Sequence, residues 1–140
     1  MLSHKTAKTR KTLSAPTKYL LKDNAFLGKV LDYGCGKGFD SDELGFEKYD
    51  PHFFPKTPKG KYDTIVCNYV LNVINNDDAN LVIAKIRSLL KSKGKAYISV
   101  RRDIIKEGVT KSGTFQRNVI LDLPVLVEVP KKFCIYLLTK

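Results

Sequence analysis

A chain of 140 residues holds one domain with its own core, and its 43% hydrophobic and 28% charged residues are those of an ordinary globular protein. No stretch approaches the roughly 20 apolar residues of a membrane span, and the basic N-terminus lacks the apolar core of a secretion signal, so the expectation is a cytoplasmic protein without a membrane partner. The 25 lysines and arginines against 14 acids, a formal net charge of +11, argue for a polyanionic partner, although lysines also serve solubility.

In chain order, residues 1–13 form a basic arm, and residues 14–140 read as a single domain. Up to position 29, seven basic side chains stand against Asp23 alone. Ser14 is a plausible N-cap with Pro16 in the first turn, so "SAPTKYLLKDN" predicts a short helix. Residues 29–33 read as a strand, 39–44 as a very short helix and "FEKYD" as a second strand. The segment "PHFFPKTPKGK", with its three prolines, is irregular. "YDTIVCNYVLNVI" is a β-rich run, Asp77 or Asp78 caps a helix with apolar positions at Val82, Ile86, Leu89 and Leu90, and Gly94 fits its stop. "KAYISV" is a further strand, and "PVLVEV" and "FCIYLLTK" around "PKK" read as a terminal hairpin. The fold class is therefore α/β, with a mostly parallel sheet and a C-terminal antiparallel hairpin. Ligands of such sheets bind beyond the carboxyl ends of the strands.

The stretch "KVLDYGCGKG" lies at that rim. Its G-x-G-x-G spacing does not complete a dinucleotide fingerprint, and Lys37 is followed by Gly38 rather than by Ser or Thr as in a phosphate-binding loop. Asp32, two residues before the first glycine, would repel a pyrophosphate but suits a ligand with a cationic amine. S-adenosylmethionine is such a ligand: it carries an ammonium and a sulfonium and no phosphate. Asp50, at the end of the second strand, is placed to accept vicinal ribose hydroxyls, or else is a turn residue before Pro51. Three cysteines, Cys35, Cys67 and Cys134, give neither a disulfide framework nor metal-ligand spacing, and they read as packing residues; no metal is expected.

"VLDYGCGKG", "YDP" and "YDTIVCNYVLNVI" resemble, in order, the motifs of class I S-adenosylmethionine-dependent methyltransferases, which have a Rossmann-like fold. "HKTAKTRKTLSAP", with "LDYGCGKG", "YDP" and "NYVLNVI", resembles more narrowly the methyltransferases associated with DNA phosphorothioation gene clusters. The resemblance runs from about His4 to Leu90 and again over "GTFQ" at 113–116. It implies that Asp32, Gly34, Gly36 and Gly38, with Tyr33 among them, contact the methionine moiety of the cofactor, that Asp50 takes the ribose, and that Asn68 and Tyr69 line the pocket near the transferred methyl. The proline-rich 51–60 segment stands where the family has a longer unit, so the adenine contacts stay open.

For the acceptor, the expectation is nucleic acid. "NYVL" departs from the (D/N/S)PP(Y/F) pattern of enzymes that methylate exocyclic amines of bases. Lys5, Lys8, Arg10 and Lys11 of the arm are candidates for phosphate contacts, and Phe115 and Gln116 for stacking on and reading a base, or Phe115 for plugging the core. His4, Asn68 and Tyr69 are the candidate catalytic residues; His4 is either a base folding over the pocket or a solvated terminal residue. A small-molecule or protein methyltransferase and a catalytically silent nucleic-acid-binding module are the alternatives.

Overall fold

The structure, a computed structural model, describes His4, Ala7 and residues 9–140. Lys5 and Lys8, expected to contact substrate, lie outside the described residues. The elements are α1 (Ala15–Lys22), β1 (Val30–Tyr33), α2 (Phe39–Leu44), β2 (Glu47–Tyr49), β3 (Tyr62–Asn68), a 3-10 turn (Leu71–Val73), α3 (Asn76–Ser88), β4 (Leu90–Arg101), β5 (Gly108–Val109), β6 (Phe115–Gln116), β7 (Val125–Val129) and β8 (Phe133–Thr139).

The main sheet has six strands in the order β2-β1-β3-β4-β8-β7. β1, β2, β3 and β4 pair in parallel, whereas β8 runs antiparallel to β4 and to β7, as the terminal hairpin required. Every residue of β1 is buried, and so are Thr64 to Cys67 of β3, the pattern of central strands covered on both faces. On one face Leu31, Ile65, Cys67 and Ile98 pack with Ala79 and Ile86 of α3. On the other, Val66, Tyr97 and Ile135 pack with Leu20 of α1. Each fully buried Leu or Ile of these layers contributes about 1.5 to 3 kcal/mol. Among the described residues, no helix is long and apolar enough to cross a membrane.

Ser14 is the N-cap residue of α1, with extended backbone and its carbonyl accepting the Lys18 N–H at 2.9 Å, while its hydroxyl bonds Asp40 Oδ2 at 2.7 Å in place of a helix N–H. Three local expectations need correction. The β-rich run beginning at Tyr62 stops at Asn68, because Tyr69 turns to φ +63° and the 3-10 turn follows. The cap of α3 is Asn75, whose Oδ1 accepts the Asp78 N–H at 2.8 Å; Asp77 and Asp78 lie in the first turn, where carboxylates suit the helix dipole. Finally, α3 ends at Ser88, and Gly94 lies inside β4. The register shifts there between Tyr62 and Thr64 of β3, and a Cβ on Gly94 would come within 2.9 Å of the Tyr62 carbonyl oxygen. Close backbone approach at a bulge, not helix termination, is what needs the glycine.

Candidate active site

The strand order reverses around β1, with β2 on one side and β3 on the other, and a cavity of about 870 Å³ opens at the carboxyl ends of β1 and β3. The glycine turn forms one wall. Gly34, Gly36 and Gly38 have φ of +85°, +58° and +85°. The Gly34 and Cys35 N–H groups donate to the Tyr49 carbonyl at 2.7 and 3.0 Å, which fastens the turn to the end of β2. A Cβ on Gly34 would fall 2.3 Å from Val70 Cγ2. Gly34→Ala is therefore expected to cost about 2 to 4 kcal/mol from left-handed strain and overlap. Thermal melting checks this, and adding Val70→Ala should restore part of the loss.

Three carboxylates lie under or beside this turn. Asp32, only 4% exposed, accepts the Ser41 hydroxyl at 2.8 Å. Burial pushes its pKa up to about 7; the Ser41 bond opposes the rise, and the nearby Asp40 and Asp50 add to it. Asp50 accepts the His52 and Phe53 N–H groups on Oδ1 at 2.9 and 3.0 Å and the Gly36 N–H on Oδ2 at 3.0 Å. A carboxylate offers about four acceptor sites, so Asp50 organises its own turn and keeps roughly one site for a ligand hydroxyl. Asp40 accepts the Ser14 N–H and the Ser14 and Thr17 hydroxyls at 3.1, 2.7 and 2.7 Å.

Asn68 closes that network. Its Nδ2 donates to Thr17 Oγ1 at 2.9 Å and to Ser14 Oγ at 3.3 Å, while its Oδ1 accepts the Ser99 hydroxyl at 2.8 Å. Asn68 lines the cavity, yet its amide is committed to holding α1 over the strand ends. Tyr69 and Tyr33 also line the cavity. The Tyr33 ring lies 4.7 Å from that of Tyr49, and burial pushes its pKa up to about 12. Cys35 is held up to about 12, first by burial and then by Asp32 and Asp50, so it stays a thiol at neutral pH.

The described part of the arm lies across this cavity. His4 stacks on His52 with ring centroids 3.9 Å apart and planes 13° from parallel, and the Lys37 ammonium donates to Thr9 Oγ1 at 2.9 Å. His4, Ala7 and Arg10 line the cavity, whereas the exposed Lys11 is outside the lining. Phe115 and Gln116 are also outside it. They form β6 in a small hairpin with β5, and the Gln116 amide donates to the Lys106 carbonyl at 2.9 Å. Sequence reasoning passed over Asp40, His52, Arg101 and Lys132, all of which line the cavity. Only Arg101 left a signal, as the residue after "KAYISV", at the carboxyl end of a parallel strand.

The methyltransferase-domain family matches residues 5–113. The chain belongs to that family. No curated protein matches it in sequence. Among solved structures, it is similar to DhpI in complex with SAH, with 16% identity, a TM-score of 0.62 and coverage of 88% of this chain and 82% of that one. It is similar also to the Burkholderia thailandensis 1,6-didemethyltoxoflavin-N1-methyltransferase with bound 1,6-didemethyltoxoflavin and S-adenosylhomocysteine: 17% identity, TM-score 0.62, coverage 88% and 76%. The PH0226 protein of Pyrococcus horikoshii OT3 follows at 15% identity, TM-score 0.57 and coverage of 86% and 85%. At these identities the likeness establishes the Rossmann-like fold, and family membership makes the chain an S-adenosylmethionine-dependent methyltransferase.

The methyltransferase's own residues fit that cofactor. The glycine turn brings bare backbone to the cavity wall, where left-handed φ values and the nearness of Val70, Ala7 and Lys48 to the three Cβ positions leave no room for side chains, and the Asp32, Asp40 and Asp50 carboxyl groups beside it suit a sulfonium and an ammonium.

Proposed function

We propose that the methyltransferase moves a methyl group from S-adenosylmethionine, held against Gly34 to Gly38, onto an acceptor in nucleic acid. The observation that carries the acceptor class is charge: the chain has a net +11, and Arg10, Lys37, Arg101 and Lys132 line the cavity. Phosphates are drawn to such a surface and release counterions on binding. The narrower resemblance of the arm and motifs to phosphorothioation-associated methyltransferases favours DNA within that class.

When bound, the cofactor supplies a methyl group on a sulfonium, already activated for in-line displacement. Asp32 would face the cationic methionine end, Gly34, Gly36 and Gly38 would bring the backbone of the turn alongside it, and Asp50 would offer an oxygen to the ribose. Asn68 acts as a positioning residue, fixing α1 through Thr17 and Ser14. Tyr69 would stand beside the acceptor, and His4 and Ala7, which also line the cavity, would help position it. His4 is the candidate to take a proton from the acceptor where its nucleophile carries one. Lys5, Lys8, Arg10 and Lys11 grip phosphates. Phe115 and Gln116, outside the cavity, contact a flanking nucleotide.

A second reading, a small-molecule acceptor, is favoured by the arm residues that line the cavity, His4 stacked on His52 among them. Incubation with methyl-labelled S-adenosylmethionine and separate DNA, RNA, protein and metabolite fractions decides between them. Label is expected in nucleic acid. Label confined to metabolites supports the second reading, and no label in any fraction, with cofactor binding intact, leaves a silent binding module.

A further inference from the structure

Apart from Lys37 in the glycine turn, the cations of the cavity lining gather away from Asp32. Asp40 and Asp50 are the charges that act on Asp32, whereas Arg10, Arg101 and Asp103 are those that act on Tyr69. Arg101 ends β4 and is the register partner of Phe133 in β8. Lys132 immediately precedes Phe133, and its carbonyl accepts the Arg102 N–H at 3.0 Å, so the hairpin turn brings Lys132 to the same rim as Arg101. Arg10 arrives from the arm.

The cations of this rim retain binding capacity. Asp103 holds the Arg101 guanidinium through Nε at 2.8 Å and one terminal nitrogen at 3.2 Å, which leaves about three of its five N–H donors free. Arg10 and Lys132 have no ion-pair partner among the described residues. Among the described residues, these three cations share the rim with one acid, Asp103; the remaining acid of the lining outside the cofactor end, Asp78, lies in the first turn of α3. Between them sits Tyr69, half-buried and at φ +63°, a left-handed conformation that a bulky residue adopts at a cost. Strain of this kind is retained where a side chain must be presented to a ligand.

We propose that Arg10, Arg101 and Lys132 form an oxyanion anchor that holds the acceptor by a phosphate or carboxylate group and sets its reacting atom beside Tyr69. The inference rests on the reading that the acceptor enters this cavity, and it narrows that acceptor to an anion. The acids nearest Asp32 favour a cation at the cofactor end, and Arg10, Arg101 and Lys132 favour an anion at the Tyr69 end. The anion can come from a nucleic-acid backbone or from a free phosphorylated or carboxylated metabolite.

The test uses the full chain saturated with S-adenosylhomocysteine. Binding of inorganic phosphate, acetate and a fluorescent twelve-nucleotide single strand is measured for the parent, for Arg101→Gln with Lys132→Gln, and for Lys132→Gln alone, which changes only an exposed side chain. Losing two charge-assisted contacts should weaken phosphate and oligonucleotide at least about tenfold, with the affinity for S-adenosylhomocysteine unchanged within about twofold. Lys132→Gln alone should weaken both about threefold. An oligonucleotide held far more tightly than phosphate supports the backbone as the source, and comparable affinities support a free metabolite. Parent-like binding by both variants overturns the anchor. A parent that fails to bind S-adenosylhomocysteine overturns the reading of the cofactor end, and anion binding that depends on Arg101 and Lys132 would then still support the anchor.

Discussion

Asp50→Ala is expected to weaken S-adenosylhomocysteine binding about a hundredfold or more, the largest effect of any single substitution in the cavity. One charge-assisted contact to a ribose hydroxyl accounts for about 1.5 to 3 kcal/mol, or ten- to a hundredfold. The rest comes from the turn, since the Gly36, His52 and Phe53 N–H groups all lose their acceptor together. Asp50→Asn should not rescue binding, because its amide nitrogen would face backbone donors on one side or the other. Titration calorimetry gives the affinity, and circular dichroism confirms the fold. An Asp50→Ala protein that binds as its parent does would remove Asp50 from the site.

The second large effect is a pH dependence carried by Asp32. Its carboxyl is held near pKa 7 rather than 3.8, mainly by burial, with Asp40 and Asp50 facing it and the Ser41 hydroxyl opposing the shift. Between those two values the folded protein binds a proton that the unfolded chain has released. The ligand-free protein therefore loses stability from this group as pH rises from about 4 to 7. Ligand binding has the opposite sign. The cationic ammonium of the cofactor favours the carboxylate, so affinity should rise up to about tenfold per pH unit below 7 and level off above it. Asp32→Asn should flatten the profile and weaken binding at pH 8. Calorimetry from pH 5.5 to 8.5 measures both, and a slope that survives in Asp32→Asn belongs to another group.

Much of this site was legible because it is written locally. Asp32, the three glycines and Asp50 lie within 19 residues of chain, at the ends of two strands, where residue type alone expresses the geometry. Tyr69 was not. Tyrosine and valine favour strands, so nothing in "NYVLNVI" announces that the chain turns left-handed after Asn68. The choice of Asn75 over Asp77 as the cap of α3 lies between residues of nearly equal capping strength. The role of Asn68 depends on Ser14 and Thr17, which lie 54 and 51 positions away in sequence. Arg101 and Lys132 meet only because β4 and β8 pair antiparallel, a register that composition does not encode. Phe115 and Gln116 show the converse: the residues were singled out for their chemistry, but the β5–β6 hairpin carries them outside the cavity lining.

The cavity at the ends of β1 and β3 is assigned to the cofactor, and a crystal structure of the full chain grown with millimolar S-adenosylhomocysteine decides that assignment. One molecule is expected along Gly34 to Gly38, its amino group toward Asp32 and its ribose within hydrogen-bond distance of Asp50. A ligand bound elsewhere, such as the apolar cavity beside β2 lined by Phe46 and Phe54, or bound here with its ribose away from Asp50, would contradict it.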